Sequence, residues 1–226
     1  MQAADSWDDD HVSDPAWRSQ LTMKREKLTL TGMRLAVFCI LVSAVLPSVS
    51  RAQEAPVFVI TPVKSTITFN VKASVPIQGT FDKWDATLTF TSPVAETGVL
   101  DVKIQAASVD TGSGMKNGKL KSKDFFDVER DPLITFRSTK IVQNGPNTFE
   151  MDGDFTIRGV TRSEKLTLAV SGKGTGTGDI SGTLYFDRKD YGMNSGIPFI
   201  RIANRVEVTV DLKVKRIGGP PVVFKQ

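Results

Sequence analysis

From about residue 65 onward, apolar and polar residues alternate along most of the chain. Ile67, Phe69 and Val71 fall on one face of a pleated segment, with Thr66, Thr68 and Asn70 on the other. The same period returns in Ala86/Leu88/Phe90, Leu100/Val102/Ile104, Ile134/Phe136, Phe149/Met151/Phe155/Ile157 and Leu166/Leu168/Val170. Leu184/Phe186 and Val206/Val208/Val210/Leu212/Val214 complete it. The intervening residues are Thr, Asp, Glu, Lys and Arg, so each segment reads as a strand with one face buried and one in water. About eight such strands are separated by Gly, Pro and Asn turns such as Asn144-Gly145-Pro146-Asn147. Only the stretch around Met115–Phe126 reads as helical. Regular strands with turn signals predict an all-β antiparallel sandwich or closed barrel. An eight-stranded barrel has an interior that either fills with side chains or holds one small ligand. The other face carries Asp101, Lys103, Glu150, Asp152, Asp154, Arg158, Glu207, Asp211 and Lys213. That many charges do not face lipid, so no stable membrane insertion is expected.

The N-terminal 52 residues read differently. Residues 35–46, LAVFCILVSAVL, carry no charge; Lys24, Arg25, Lys27 and Arg34 precede them, and Ser50-Arg51-Ala52 follows Pro47. A basic region, a short apolar core and small residues at −3 and −1 are the layout of a secretory signal peptide, with cleavage expected after Ala52. The apolar run is shorter than the roughly twenty residues of a membrane span. Residues 1–22 are acidic and do not fit the start of a signal, which makes Met23, or less well Met33, the expected initiator. The domains are therefore read as 1–52, an extension plus cleaved signal, and 53–226, one barrel.

Composition narrows the chemistry. The chain has 226 residues, 40% hydrophobic and 24% charged, with a formal net charge of +4, the proportions of a globular protein. Its only Cys is Cys39 and its only His is His11, both upstream of the expected cleavage. The processed protein then has no disulfide, thiolate nucleophile, Cys/His metal site or histidine base. The basic residues are not interleaved with aromatics as in a nucleic-acid binder, so no nucleic-acid partner is expected. Gly172-Lys173-Gly174-Thr175-Gly176-Thr177-Gly178 fails the Gly-x-Gly-x-x-Gly spacing and precedes no helix, so it reads as a hairpin loop. A serine hydrolase lacks its base. Asp124, Asp127, Glu129 and Asp131 cluster, and paired carboxylates can act as acid and base; the plainer reading is that they cap a helix-to-strand connection. Lys116, Lys119, Lys121 and Lys123 form a basic patch beside them, read either as a solvated helix face or as a rim attracting an anionic headgroup. Trp84 and Phe125-Phe126 either plug the barrel or wall a tunnel.

Several blocks carry a family resemblance. Thr68-Phe69 with Gly79-x-Phe81, then Ala107-Ser108-Val109-Asp110-Thr111-Gly112 and Leu120-Lys121-Ser122-Lys123-Asp124-Phe125-Phe126-Asp127-Val128, come in order. Pro132-Leu133-Ile134-Thr135-Phe136-Arg137-Ser138-Thr139, Ile157-Arg158-Gly159-Val160-Thr161-Arg162 and Asp187-Arg188-Lys189-Asp190-Tyr191-Gly192-Met193 follow. As a set, spanning about residues 57–216, they resemble the YceI-like family of periplasmic lipid-binding proteins. The resemblance implies an eight-stranded antiparallel lipocalin-like barrel with one short helix, an apolar tunnel for one long amphiphile such as a polyisoprenoid or isoprenoid quinone, and a possible homodimer. No cofactor is implied. Many members carry a His where this chain has Lys119, and another in the first hairpin, where it reads Val71-Lys72-Ala73.

Three functions remain open at this point. The first is a periplasmic carrier with Phe69, Phe81, Leu88, Leu100, Val102, Ile104, Ile134, Phe136, Phe155, Ile157, Leu168, Leu184 and Phe186 as lining, and Lys119 and Arg188 as headgroup contacts. The second is a filled barrel serving as an envelope stress or interaction module. The third is a lipid-processing enzyme using Asp124 and Asp127.

Overall fold

The computed structural model describes residues 54–196 and 199–226; the expected signal peptide and its cleavage point lie outside them. The chain order is β1 (Val57–Ile60), β2 (Thr66–Ala73), β3 (Ile77–Phe81), β4 (Trp84–Phe90), β5 (Gly98–Gln105) and β6 (Val109–Asp110). Then come helix α1 (Gly114–Lys121), β7 (Leu133–Gln143), β8 (Thr148–Ile157), β9 (Val160–Ser171), β10 (Thr177–Asp187) and β11 (Ile202–Gly218). All strand pairings are antiparallel, in the order β4-β5-β7-β8-β9-β10-β11-β2-β3-β6, with β1 added to β11.

The eight alternating segments of the sequence are β2, β4, β5, β7, β8, β9, β10 and β11. The strand count differs by three short additions. β1, β3 and β6 span four, five and two residues, too few for a period of two to stand out. β1 nevertheless matters to the architecture, because it pairs with the far end of β11 and sets Phe58 against Phe90 of β4, ring centroids 5.7 Å apart. On the other side the β3–β4 turn bonds the β5–β6 turn, with the Gln105 amide donating to the Lys83 carbonyl at 2.9 Å. The sheet thus curls into a half-barrel whose concave face takes the apolar residues.

Two buried serines serve places where strands part. Ser138 sits at a register shift in the β7–β8 ladder, and its hydroxyl accepts the Leu100 amide at 2.9 Å where β5 loses its partner. Ser65 accepts the Lys213 amide and donates to the Thr61 carbonyl, both at 2.8 Å, fixing the β1–β2 corner to β11. Each meets a backbone group that would otherwise be buried unpaired. Helix α1 stops at Lys121, earlier than the alternation-free stretch suggested. Phe125 and Phe126 follow in tight turns closed by the Phe126 amide on the Leu120 carbonyl, and both rings are buried.

Residues past β11 turn back over one end of the barrel. The Ala95 amide donates to the Val223 carbonyl at 3.0 Å, and the Val223 amide to the Pro93 carbonyl at 2.8 Å. Lys225 pairs with Glu96 at 2.7 Å, while its backbone exchanges two hydrogen bonds with the Gln143 side chain. Alternation does not foretell this tail, since Pro220-Pro221 and its polar end carry no strand pattern.

Candidate functional site

Inward side chains repeat every second residue of each strand, so the lumen is walled by hydrocarbon. It contains two chambers in line. The larger, about 110 Å³, lies at the end covered by the C-terminal tail and is walled by Phe58, Leu88, Phe90, Leu100, Ile141, Phe149, Met151, Leu168, Ile180 and Val214, with Pro221, Val222 and Phe224 of the tail. The β9–β10 hairpin, Gly172–Gly178, forms one lip, with Lys173 and Arg216 beside it. The smaller, about 60 Å³, lies at the α1 end between Phe69, Val71, Ile77, Phe81, Ile104, Ile134, Phe155, Ile157, Phe186 and Val206, with Leu120, Phe125 and Phe126 across its rim. Each volume exceeds the roughly 10–15 Å³ that one water needs.

Between the chambers stands a waist of buried residues that line neither: Ile67, Val102, Phe136, Leu166, Leu184 and Val210. Two glycines on the inward face make room for it. A Cβ at Gly153 would lie 2.5 Å from the Phe136 ring and 2.7 Å from the Arg137 carbonyl oxygen. One at Gly182 would lie 2.4 Å from Leu168. The ring and the leucine therefore lie flat against bare backbone, which a side chain there would deny them.

Of the residues expected to line a ligand site, Leu88, Leu100 and Leu168 face the large chamber. Phe69, Phe81, Ile104, Ile134, Phe155, Ile157 and Phe186 face the small one. Val102, Phe136 and Leu184 belong to the waist. Arg188 borders the small chamber but is only 6% exposed, and its guanidinium is turned to backbone. Its Nε donates to the Ala203 carbonyl at 3.2 Å, and Nη1 to the carbonyls of Met193 and Ser195. Lys119 pairs with Asp124 at 2.5 Å and lies 5.8 Å from the Phe125 ring. Sequence reasoning missed the tail and the β9–β10 hairpin as parts of the wall. For Phe149, Met151 and Val214 the alternation already held the signal.

The acidic cluster is dispersed. Asp124 is taken by Lys119, and Asp127 and Asp131 flank Arg130 at 3.9 and 3.1 Å. Among the described residues no carboxylate lines either chamber, and none of His, Cys, Asp and Glu form a group of three able to hold a metal. The hydrogen bond and charge of Lys119 hold the Asp124 carboxyl below its ordinary value of 3.8. A lowered carboxylate favours the folded state above its unfolded pKa and loses that contribution as pH falls through the folded one. Asp124 is therefore expected to titrate below pH 3.8 in a side-chain carbonyl NMR titration, and Lys119→Met to return it toward that value. A midpoint at or above 3.8 in the unaltered protein would contradict the pair.

A curled antiparallel sheet around an apolar lumen, with one short helix at its rim, defines a lipocalin-type barrel. Residues 58–214 match the family model described as a YceI-like domain, and the chain belongs to the YceI-like family. A UPF0312 protein of Pseudomonas savastanoi is 34% identical over 98 residues, 43% of this chain and 51% of that one. Protein YceI of Escherichia coli is 33% identical over 98 residues, covering 43% of this chain and 51% of that one. The matched stretch thus spans about half the length of these relatives. The crystal structure of Burkholderia cenocepacia BcnA superposes with a TM-score of 0.63 at 28% identity, covering 69% of this chain and 99% of that one. A domain from Saccharophagus degradans, described as polyisoprenoid binding, shares the fold with a TM-score of 0.56 at 15% identity, covering 71% and 99%. No helix among the described residues is long and apolar enough to cross a membrane.

Proposed function

We propose that the protein is a periplasmic carrier, exported by the signal peptide cleaved after Ala52, that holds one long apolar amphiphile in its lumen. The ligand class is a polyisoprenoid, an isoprenoid quinone or a similar lipid, and binding involves no catalysis. The observation that carries this reading is the pair of apolar chambers in line within one barrel, closed by side chains alone at the waist. Burying a methylene is worth roughly 0.8 kcal/mol, so a chain threaded through both chambers gains affinity without a directed polar contact. Membership in the family and the polyisoprenoid-binding description of the Saccharophagus degradans domain support the same ligand class.

The filled waist favours a second reading, a barrel that holds no ligand and serves as an envelope interaction module. A displacement titration separates the two. With the fluorescent fatty acid cis-parinaric acid loaded into the mature protein at one molecule per chain, excess geranylgeraniol is expected to displace it competitively. Absence of parinaric acid uptake together with absence of geranylgeraniol binding would favour the filled barrel.

A further inference from the structure

We infer that the large chamber ends in a site for an anionic headgroup, a phosphate or carboxylate, held between Lys173 and Arg216. The inference rests on the carrier reading and names the end of the lumen at which the ligand's head lies. Among the described residues these two are the only charged groups on the wall of either chamber apart from Arg188. The small chamber offers no such place: the Arg188 guanidinium is turned away onto the carbonyls of Ala203, Met193 and Ser195, and its walls are otherwise apolar.

Lys173 and Arg216 share one lip of the barrel. The Arg216 amide donates to the Gly176 carbonyl at 2.7 Å, in the hairpin that carries Lys173. Neither cation has a carboxylate within 4.0 Å among the described residues, whereas the nearby acids are already paired, Glu96 with Lys225 at 2.7 Å and Asp179 with Lys213 at 2.8 Å. The Lys173 ammonium donates to the Pro146 carbonyl and stands 4.2 Å from the Phe224 ring centre and 5.8 Å from that of Phe149. Arg216 donates through Nη1 to the Gly219 carbonyl. Carbonyls and ring faces attract a cation without cancelling its charge. Two half-buried, unneutralised cations beside an apolar chamber favour an anion tethered to a chain that fills that chamber. Gly174 and Gly176 present bare backbone at the same lip, with nothing within 4 Å of the position a side chain would occupy, so a headgroup can approach closely.

The test compares geranylgeranyl phosphate, geranylgeraniol and inorganic phosphate by calorimetric titration of the mature protein. The phosphate ester is expected to bind at least about tenfold tighter than the alcohol, the preference falling as salt rises. Lys173→Met with Arg216→Met is expected to bring that ratio within about twofold, with circular dichroism reporting the fold. Inorganic phosphate is expected to compete weakly, in the millimolar range at best. Equal affinity of ester and alcohol in the unaltered protein would overturn the headgroup inference and leave the carrier standing. So would a preference that survives the double change, or one abolished by Lys119→Met instead, which would put the head at the α1 end. Inorganic phosphate binding as tightly as the ester would mean a site for a free anion and would overturn it too. If neither prenyl compound binds, the carrier reading itself fails, and the headgroup site with it.

Discussion

Alanine in place of Tyr191 is expected to destabilise the folded protein by about 3–5 kcal/mol, the range for emptying a large aromatic site in a core. Tyr191 is fully buried, at 0% exposure, in the turn that follows β10. Its ring stands edge-on to Phe186 at 5.2 Å and to Phe155 at 5.5 Å, an arrangement that adds to simple burial. Its hydroxyl donates to Glu164 of β9 at 2.7 Å, so one side chain ties the β10–β11 connection to two strands beneath it. Burial, and then the Glu164 carboxylate, push the hydroxyl's pKa far above the ordinary 10.0, and the donor stays protonated throughout the physiological range. Tyr191→Phe should keep the rings packed and lose only about 1 kcal/mol with the hydrogen bond. Urea denaturation of both variants measures the difference. A cost below about 1 kcal/mol for the alanine would show that the aromatic cluster does not anchor this end of the barrel.

Tryptophan in place of Leu168 is expected to weaken binding of a twenty-carbon prenyl chain by roughly 200-fold while leaving a folded barrel. Leu168 is 2% exposed on β9, packs against Gly182 and faces the large chamber, into which a larger group would extend. An indole there occupies the space of about four ligand carbons, and evicting them costs ~3 kcal/mol at 0.8 kcal/mol per methylene. Overpacking is expected to cost about 1–3 kcal/mol of stability, which the free chamber reduces. Phe155→Trp makes the parallel change in the small chamber, against Phe186. Parinaric acid displacement reads both. Unchanged affinity in the two variants would mean that no ligand occupies these chambers.

The strands that build the lumen were legible because each buries one face, and burial imposes a period of two on whatever residues supply it. β8 illustrates this: Phe149, Met151, Phe155 and Ile157 keep the period, with Gly153 in the remaining place because Phe136 needs its surface. β1 and β6 were not legible, since they owe their places to partners distant in sequence, as with Phe58 against Phe90, and β3, the hairpin partner of β2, is too short for its alternation to stand out. The lining followed from the same alternation, but its division into two chambers did not. That depends on which side chains meet across the barrel, and Phe136 and Leu184 differ from Phe155 and Leu168 only in their height along it. Charge was the least legible property. Lys119 and Arg188 looked like free cations in the sequence, yet one found Asp124 and the other found carbonyls, through a helix turn and a loop whose shapes no residue pattern specifies. Lys173 sat in a run of glycines that suggested only a hairpin; its place on the chamber wall depends on the tail that brings Phe224 beneath it.

The measurement that bears most directly on the carrier reading is native mass spectrometry of the mature protein purified from its host's envelope, followed by organic extraction. One bound molecule per chain is expected, with a mass matching a prenyl chain or isoprenoid quinone. A protein that arrives empty, and stays empty after incubation with geranylgeraniol, would contradict the reading while leaving the YceI-like barrel as it stands.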